Sequence, residues 1–271
     1  MILRLAINAR FATRPLSGVD RVAEELTRAL YALSDQVEIS ALAPKAAALT
    51  DLPVPIKHGR LAGQAWEQLE LPLATRDRCL LSLCNTGPLT VRDQVVLVHD
   101  AQPWLQPQAY SPAFRTWYHL MLPLLARRAR VVVTISEYSR TELERFGIVP
   151  KGKARVIHNG ADHILRITPD PDTLTRHGLT AGDYLLALGN LSPHKNLALL
   201  MRAAAARPPG EPPLVIAGGG NPRVFADAGL APPPGVRLLG RVSDAELRAL
   251  YAHATAFVFP SLTEGFGLPP L

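Results

Sequence analysis

A chain of 271 residues, 48% hydrophobic and 19% charged, with mean hydropathy +0.09, has the composition of a globular protein of one large or two ordinary domains. It holds no apolar run near the roughly 20 residues of a membrane helix. Cys79 and Cys84 are too few for a disulfide framework or a zinc site, so a reduced, cytoplasmic chain is expected. The formal charge is +6, and residues 1–165 carry most of the excess, with 20 basic against 15 acidic side chains. An anionic membrane surface, a phosphorylated substrate or a solvated arginine-rich face would each account for it. Nucleic acid is disfavoured, because no zinc finger, helix-turn-helix or RNA-binding aromatic motif accompanies the charge.

The N-terminal MILRLAINAR is too short and too interrupted by Arg4 and Arg10 for a secretory signal, and Leu3 to Asn8 read as a buried strand. A polar loop leads to a helix predicted over Val19 to Leu33, with Val22, Leu26, Ala29, Leu30 and Leu33 on one face. QVEISAL reads as a second strand. In AWEQLELPLA, Trp66, Leu69 and Leu73 form one side of a short helix that Pro72 disturbs. CLLSLC and QVVLVHD are two more strands. The proline-bearing loop from Asp100 to Pro112 exposes Trp104, as a ligand-facing or interface loop would. A helix from Ala113 to Arg128, strand VVVTIS, helix YSRTELERF and strand ARVIHNG complete a doubly wound α/β domain over 1–165. The polar stretch 166–182 reads as a linker. The alternation then restarts over 183–271 with about four strands, ending in FVFPSLTEGFGLPPL, so the second domain reads as incomplete.

Candidate chemistry lies where strands end. Ser17-Gly18 opens a helix whose free N–H groups could receive a phosphate, although for one glycine taken alone a plain helix cap with Ser17 as the capping side chain is the favoured reading. His99 ends a strand, at the edge where open α/β sheets bind ligands; the alternative is a structural histidine bonded to backbone. Lys195 is one of five lysines and the single one after Lys153. It stands at a helix start, where an ammonium is mildly misplaced against the dipole unless an anion joins it. In Ala217-Gly218-Gly219-Gly220, after strand LVI, Gly218 and Gly219 allow close approach of a nucleotide, or make a plain turn. Glu264 precedes Gly265, Phe266, Gly267 and Leu268: a carboxylate to accept from sugar hydroxyls, followed by backbone donors. The eight histidines show no metal-ligand spacing, and no metal is expected.

The ordered set INARF, SGVDR, WEQLELP, CNTGPL, VVLVHD, VTISEYSR, VIHNGAD, GNLSPHKN, VIAGGG, LGRVSDAELRALYAHATAFVFPS and EGFGLPPL resembles retaining nucleotide-sugar glycosyltransferases of the GT-B fold. That large family includes bacterial mannosyltransferases and sucrose synthase, and the resemblance spans nearly the whole chain. It implies two Rossmann-like domains, with the donor mostly on the C-terminal one. By position, Gly18 belongs to the loop near the donor phosphates, and His99 to the histidine that contacts the transferred sugar's 6-hydroxyl. Lys195 matches the lysine that stabilises the diphosphate leaving group. Glu264 matches the first glutamate of a Glu-x7-Glu motif that binds sugar hydroxyls, with Phe266, Gly267 and Leu268 lining the same pocket. Arg241 and Val242 lie near the base and ribose. Asn190 stands where many relatives hold an arginine as second phosphate cation, and the motif's second glutamate would be residue 272. The resemblance implies hexosyl transfer with retention to a saccharide or lipid-linked acceptor, without a required cofactor. Mannosyl from GDP-mannose is favoured and UDP-sugars stay open. Localisation at the cytoplasmic side, peripheral to the membrane, is expected. The alternatives are an inactive or weakly nucleotide-binding fragment, or an epimerase or hydrolase on the same fold.

Overall fold

The computed structural model describes residues 3–14, 16–33, 35–45, 47, 52–189, 192–218 and 232–271. The chain divides into two compact units, Met1–Asn159 and Gly160–Leu271. In the first, seven strands form one parallel sheet: β1 (Leu3–Asn8), β2 (Val37–Ala43), β3 (Ile56–His58), β4 (Cys79–Ser82), β5 (Gln94–Leu97), β6 (Val131–Thr134) and β7 (Ala154–Val156). Their order is β3-β2-β1-β4-β5-β6-β7. The chain therefore builds outward from β1 in one direction, then returns to β1's other side with β4. That reversal is a topological switch point, where the loops after β1 and β4 diverge and leave a crevice at the strands' carboxyl ends.

Helices cover the sheet, as both faces of a parallel sheet require. They include α1 (Gly18–Tyr31), a helix over residues 63–74 called α2 here, α3 (Pro112–Arg128) and α4 (Glu137–Arg145). Val96 and Val132 of the sheet pack with Leu122, Leu125 and Ala126 of α3 and Leu143 of α4 in one core cluster. Trp104, expected to be exposed, joins this cluster's margin and stacks on His119 with ring centroids 4.2 Å apart. A large aromatic beside an apolar core is drawn in even from a polar loop.

Helix α2 departs from its expected face. Trp66 is buried, but Leu69 and Leu73 are 64% and 61% exposed, while Glu67, Leu71 and Thr75 turn inward. Residues Trp66–Glu70 form a π turn, closed where Leu71 N donates to Trp66 O. A proline in a regular helix clashes with the carbonyl four residues back, here that of Gln68, and a wider turn relieves the clash. The wider turn also shifts the phase of the face.

The second unit holds a four-stranded parallel sheet of β8 (Leu185–Leu188), β9 (Leu214–Ala217), β10 (Val236–Gly240) and β11 (Ala256–Phe257), ordered β10-β9-β8-β11. Alternation divides its residues between two clusters. Ala187, Leu214 and Ile216 pack with Leu197, Leu200 and Met201 of α5 (Leu197–Ala205). Leu186, Val215 and Ala217 pack with Leu250 of α6 (Asp244–His253) on the opposite face. Residues 166–182, expected as a linker, lie in this unit: Arg176 pairs with Asp170 at 3.0 Å and with Glu246 of α6 at 2.7 Å. The α/β, doubly wound character expected from the sequence holds in both units, the second being the smaller. Among the described residues no helix is long and apolar enough to cross a membrane.

Glu67 is fully buried and accepts hydrogen bonds from Asn8 Nδ2 at 2.9 Å, Arg10 at 2.6 Å and Thr86 Oγ1 at 3.1 Å. Breaking a buried ion pair on one side strands the other charge. Glu67→Ala is therefore expected to destabilise the first unit by about 3–5 kcal/mol, read from the urea midpoint, where a loss below about 1 kcal/mol would contradict the role given to the pair.

Candidate functional site

In the second unit the switch point lies between β8 and β11, since the chain runs from β8 outward to β10 and then returns to pair β11 on β8's free side. Lys195 follows β8 and Glu264 follows β11, so parallel pairing of those strands places both loops at one carboxyl edge. There Lys195 Nζ and Glu264 Oε1 meet at 2.7 Å, with both side chains about four-fifths buried. The two loops are also joined through backbone. Leu262 N donates to His194 O at 2.8 Å, and Asn196 Nδ2 donates to Pro260 O at 3.3 Å. Asn196 sits at φ 54°, a left-handed conformation that asparagine tolerates, and this turn aims Lys195 ahead of α5. The Phe259 ring lies 5.6 Å from the Lys195 ammonium. His194 is held below its usual range, first by burial and then by the adjacent Lys195 charge, which keeps it a neutral neighbour of the pair.

β9 delivers Gly218 to the same edge. At φ +98°, a Cβ there would fall 2.8 Å from Gly189 O, so the backbones after β8 and β9 touch as only glycine permits. The result is a floor of bare backbone beside one cation and one carboxylate. Such a floor lets a polar ligand come close, while Lys195 can meet an anion and Glu264 can accept from hydroxyls. Among the described residues, buried His194 Nδ1 and Ser261 Oγ have no hydrogen-bond partner beside this edge. Unsatisfied buried groups are uncommon, and these two belong to the loops that carry Lys195 and Glu264.

Gly267 adopts φ +79° near the Phe259 ring, and Phe266 and Leu268 are half-buried in the same loop. Arg241 and Val242 follow β10, at the same edge but two strands away from β8. Asn190 and Gly219 lie outside the described residues.

The first unit has its own crevice at the β1/β4 switch point, a cavity of about 180 Å³ lined by Asn8, Arg10, Arg14, Glu67, Thr86 and Trp117 among others. Gly18 begins α1 with open space where a Cβ would stand. Just behind it, buried Asp20 accepts from Ser17 N at 3.0 Å and Oγ at 2.6 Å, and Arg14 pairs with it at 2.6 Å. This turn is therefore a helix cap. Cys84 lies in contact range of Asp20, and burial with that carboxylate pushes its thiol up, so it stays protonated. Neither Glu67 nor Asp20 stands out in the sequence, because a glutamate in an amphipathic stretch and an aspartate in a first helical turn both read as solvated. Nor does the apolar spacing point to them: in α1 the inward residues are Asp20, Ala23 and Thr27, while Leu26, Ala29 and Leu33 of the expected apolar face are exposed.

His99 is buried at 3% exposure. Its Nε2 lies 2.9 Å from Leu83 O and its backbone N donates to Asn85 Oδ1 at 2.8 Å. A ring nitrogen facing a carbonyl must carry the proton, which leaves Nδ1 as an acceptor. Burial brings the imidazole down to about 4 from 6.5, with the Leu83 bond and Asp20 opposing that shift.

The two open, doubly wound parallel sheets are those of the GT-B architecture, and solved structures agree on that fold. A sucrose-phosphate synthase from Thermosynechococcus elongatus superposes with a TM-score of 0.67 at 16% identity, covering 99% of this chain and 77% of that one. HepE of Anabaena, solved with UDP and glucose, gives 0.68 at 19% identity over 98% and 76%. The description of Glycosyltransferase Family 4 matches residues 16–164, and that of Glycosyl transferases group 1 matches residues 182–271. The chain belongs to glycosyltransferase family 4. Among curated relatives, the O-antigen chain mannosyltransferase RfbU of Salmonella typhimurium is 27% identical over 195 residues, covering 69% of this chain and 50% of its own. The O-antigen chain mannosyltransferase B of Escherichia coli is 30% identical over 196 residues, covering 68% and 51%. The chain thus spans about half the length of the curated relatives it matches.

His99 gives the first unit a pH signature. Its pKa is lower folded than unfolded, so its contribution to stability is complete above pH 6.5 and is lost as pH falls through 6.5 toward about 4. The loss attributable to this group is on the order of 3 kcal/mol. In urea titrations at pH 7 and pH 4, His99→Gln is expected to lose less stability than the wild type by that amount. Equal losses would contradict the buried, neutral ring.

Proposed function

We propose that the protein transfers a hexosyl group from a nucleotide-sugar donor to a saccharide or lipid-linked saccharide acceptor, with retention of configuration. The observation that carries this is the Lys195–Glu264 pair on a glycine floor at the β8/β11 switch point. Cleaving a glycosyl–diphosphate bond develops negative charge on the leaving oxygens. A preorganised ammonium, with backbone N–H groups, stabilises that charge more in the transition state than in the ground state. Lys195 takes this part, and Asn190 with the backbone of Gly218 and Gly219, which follow β8 and β9 in sequence, contributes to holding the phosphates. Glu264 accepts from hydroxyls of the transferred sugar, and the backbone of Phe266, Gly267 and Leu268 completes that pocket. Arg241 and Val242 face the base and ribose. His99, through its unprotonated Nδ1, accepts from a sugar hydroxyl, and Gly18 leaves room for the donor's phosphates. The acceptor's proton passes to a donor phosphate oxygen on the face that the leaving group vacates, since no side-chain nucleophile is required.

Mannosyl from GDP-mannose is the favoured donor, supported by the two relatives named as mannosyltransferases. UDP-sugars are the alternative, supported by the neighbour solved with UDP and glucose.

A donor screen with a lipid-linked saccharide acceptor tests the proposal. Turnover is expected with GDP-mannose, giving an α-linked product from the α-linked donor, and Lys195→Ala is expected to lower kcat by about 10²–10³-fold. A β-linked product would overturn retention. Wild-type turnover by the lysine variant would overturn the site.

A further inference from the structure

Resting on the donor-site reading above, we infer that Glu264 is an internal competitor for Lys195, holding the cation when no sugar is present and so making the site prefer a sugar-bearing nucleoside diphosphate to the bare one. The ammonium and carboxylate meet at 2.7 Å, partly shielded from water. Both loops are locked to each other by Leu262 N to His194 O and Asn196 Nδ2 to Pro260 O. The carboxylate is therefore held within reach of Lys195 by the fold, rather than meeting it as a mobile surface ion.

Two anions then have a claim on one cation. When the ligand is a nucleotide sugar, the sugar hydroxyls give Glu264 new donors, so Lys195 can turn to the diphosphate and neither charge is stranded. When the ligand is a bare nucleoside diphosphate, no hydroxyl replaces the ammonium. Either Glu264 keeps Lys195 and the phosphates lose their partner, or the phosphates take it and leave a shielded carboxylate unpaired beside them. Both outcomes cost affinity, and the cost falls on the bare diphosphate alone. His194 cannot relieve it, because burial and the Lys195 charge hold the ring below its usual range and neutral. After transfer the sugar is gone, and the same competition helps to eject the spent nucleoside diphosphate. Glu264 thus sets ligand preference and product release in addition to binding the sugar.

The test is a calorimetric titration of the full chain with UDP and with GDP. Wild type, Glu264→Gln, Glu264→Ala, Lys195→Ala and the Lys195→Ala/Glu264→Gln double variant are compared. Removing the competing charge is expected to tighten the bare diphosphate by about fivefold in both glutamate variants, the scale of a partly shielded ion pair. Lys195→Ala is expected to weaken it. In the double variant the gain is expected to vanish, because there is no cation left to compete for. If Lys195→Ala weakens binding but neither glutamate variant tightens it, the competition is overturned while the phosphate site stands. If the gain persists without Lys195, simple repulsion replaces competition and the inference is likewise overturned. If no protein in the set distinguishes itself, or none binds, Lys195 does not meet the phosphates and both the site and the inference fall.

Discussion

A parallel sheet must be wound from somewhere, and the strand it starts from fixes where a ligand can enter. In each unit the chain leaves its first strand in one direction and later returns to that strand's other side, at β1/β4 and at β8/β11. The loops on either side of the starting strand then diverge, because their helices or crossings go opposite ways. The meeting of Lys195 with Glu264 follows from this constraint. Lys195 and Glu264 are 69 residues apart in sequence, yet they meet because β8 and β11 are neighbours with their carboxyl ends together.

The two crevices solve their electrostatics differently. In the first unit, Arg10 and Arg14 are each tied to a carboxylate that is almost completely buried, Glu67 and Asp20. In those pairs each carboxylate is already committed to a cation and to further donors, and these bonds tie together residues that line the cavity. In the second unit, Lys195 and Glu264 keep about a fifth of their surface exposed, and buried polar atoms beside them lack partners. The exposed margin and the unpartnered atoms distinguish this pair from the two of the first unit.

Much of the fold was legible because parallel strands buried on both faces write themselves as short apolar runs. LRLAIN became a strand at its expected limits, and VVVTIS became one that ends two residues early. The misses have local causes. Trp66, Leu69 and Leu73 follow regular helical spacing, and a π turn imposed beside Pro72 moved the face, turning Glu67 inward and both leucines out. Trp104 was read from its polar neighbours, but its own area decided its position. The rare lysine marked Lys195, and the glycines marked the Glu264 loop. Their pairing was not legible, since it depends on strand order, which no local pattern encodes. The burial of Asp20 and Glu67 was hidden for the same reason: their cationic partners come from elsewhere in the chain.

The central claim is that the carboxyl edge between β8 and β11 receives the nucleotide sugar. Hydrogen exchange on the full chain, with and without saturating GDP-mannose or UDP-glucose, tests it most directly. In the second unit, slowed exchange is expected in the segments after β8, β9 and β11, strongest around residues 192–197 and 262–268, with the strand interiors unchanged. Protection that spares both of those segments, whichever donor is added, would contradict the account.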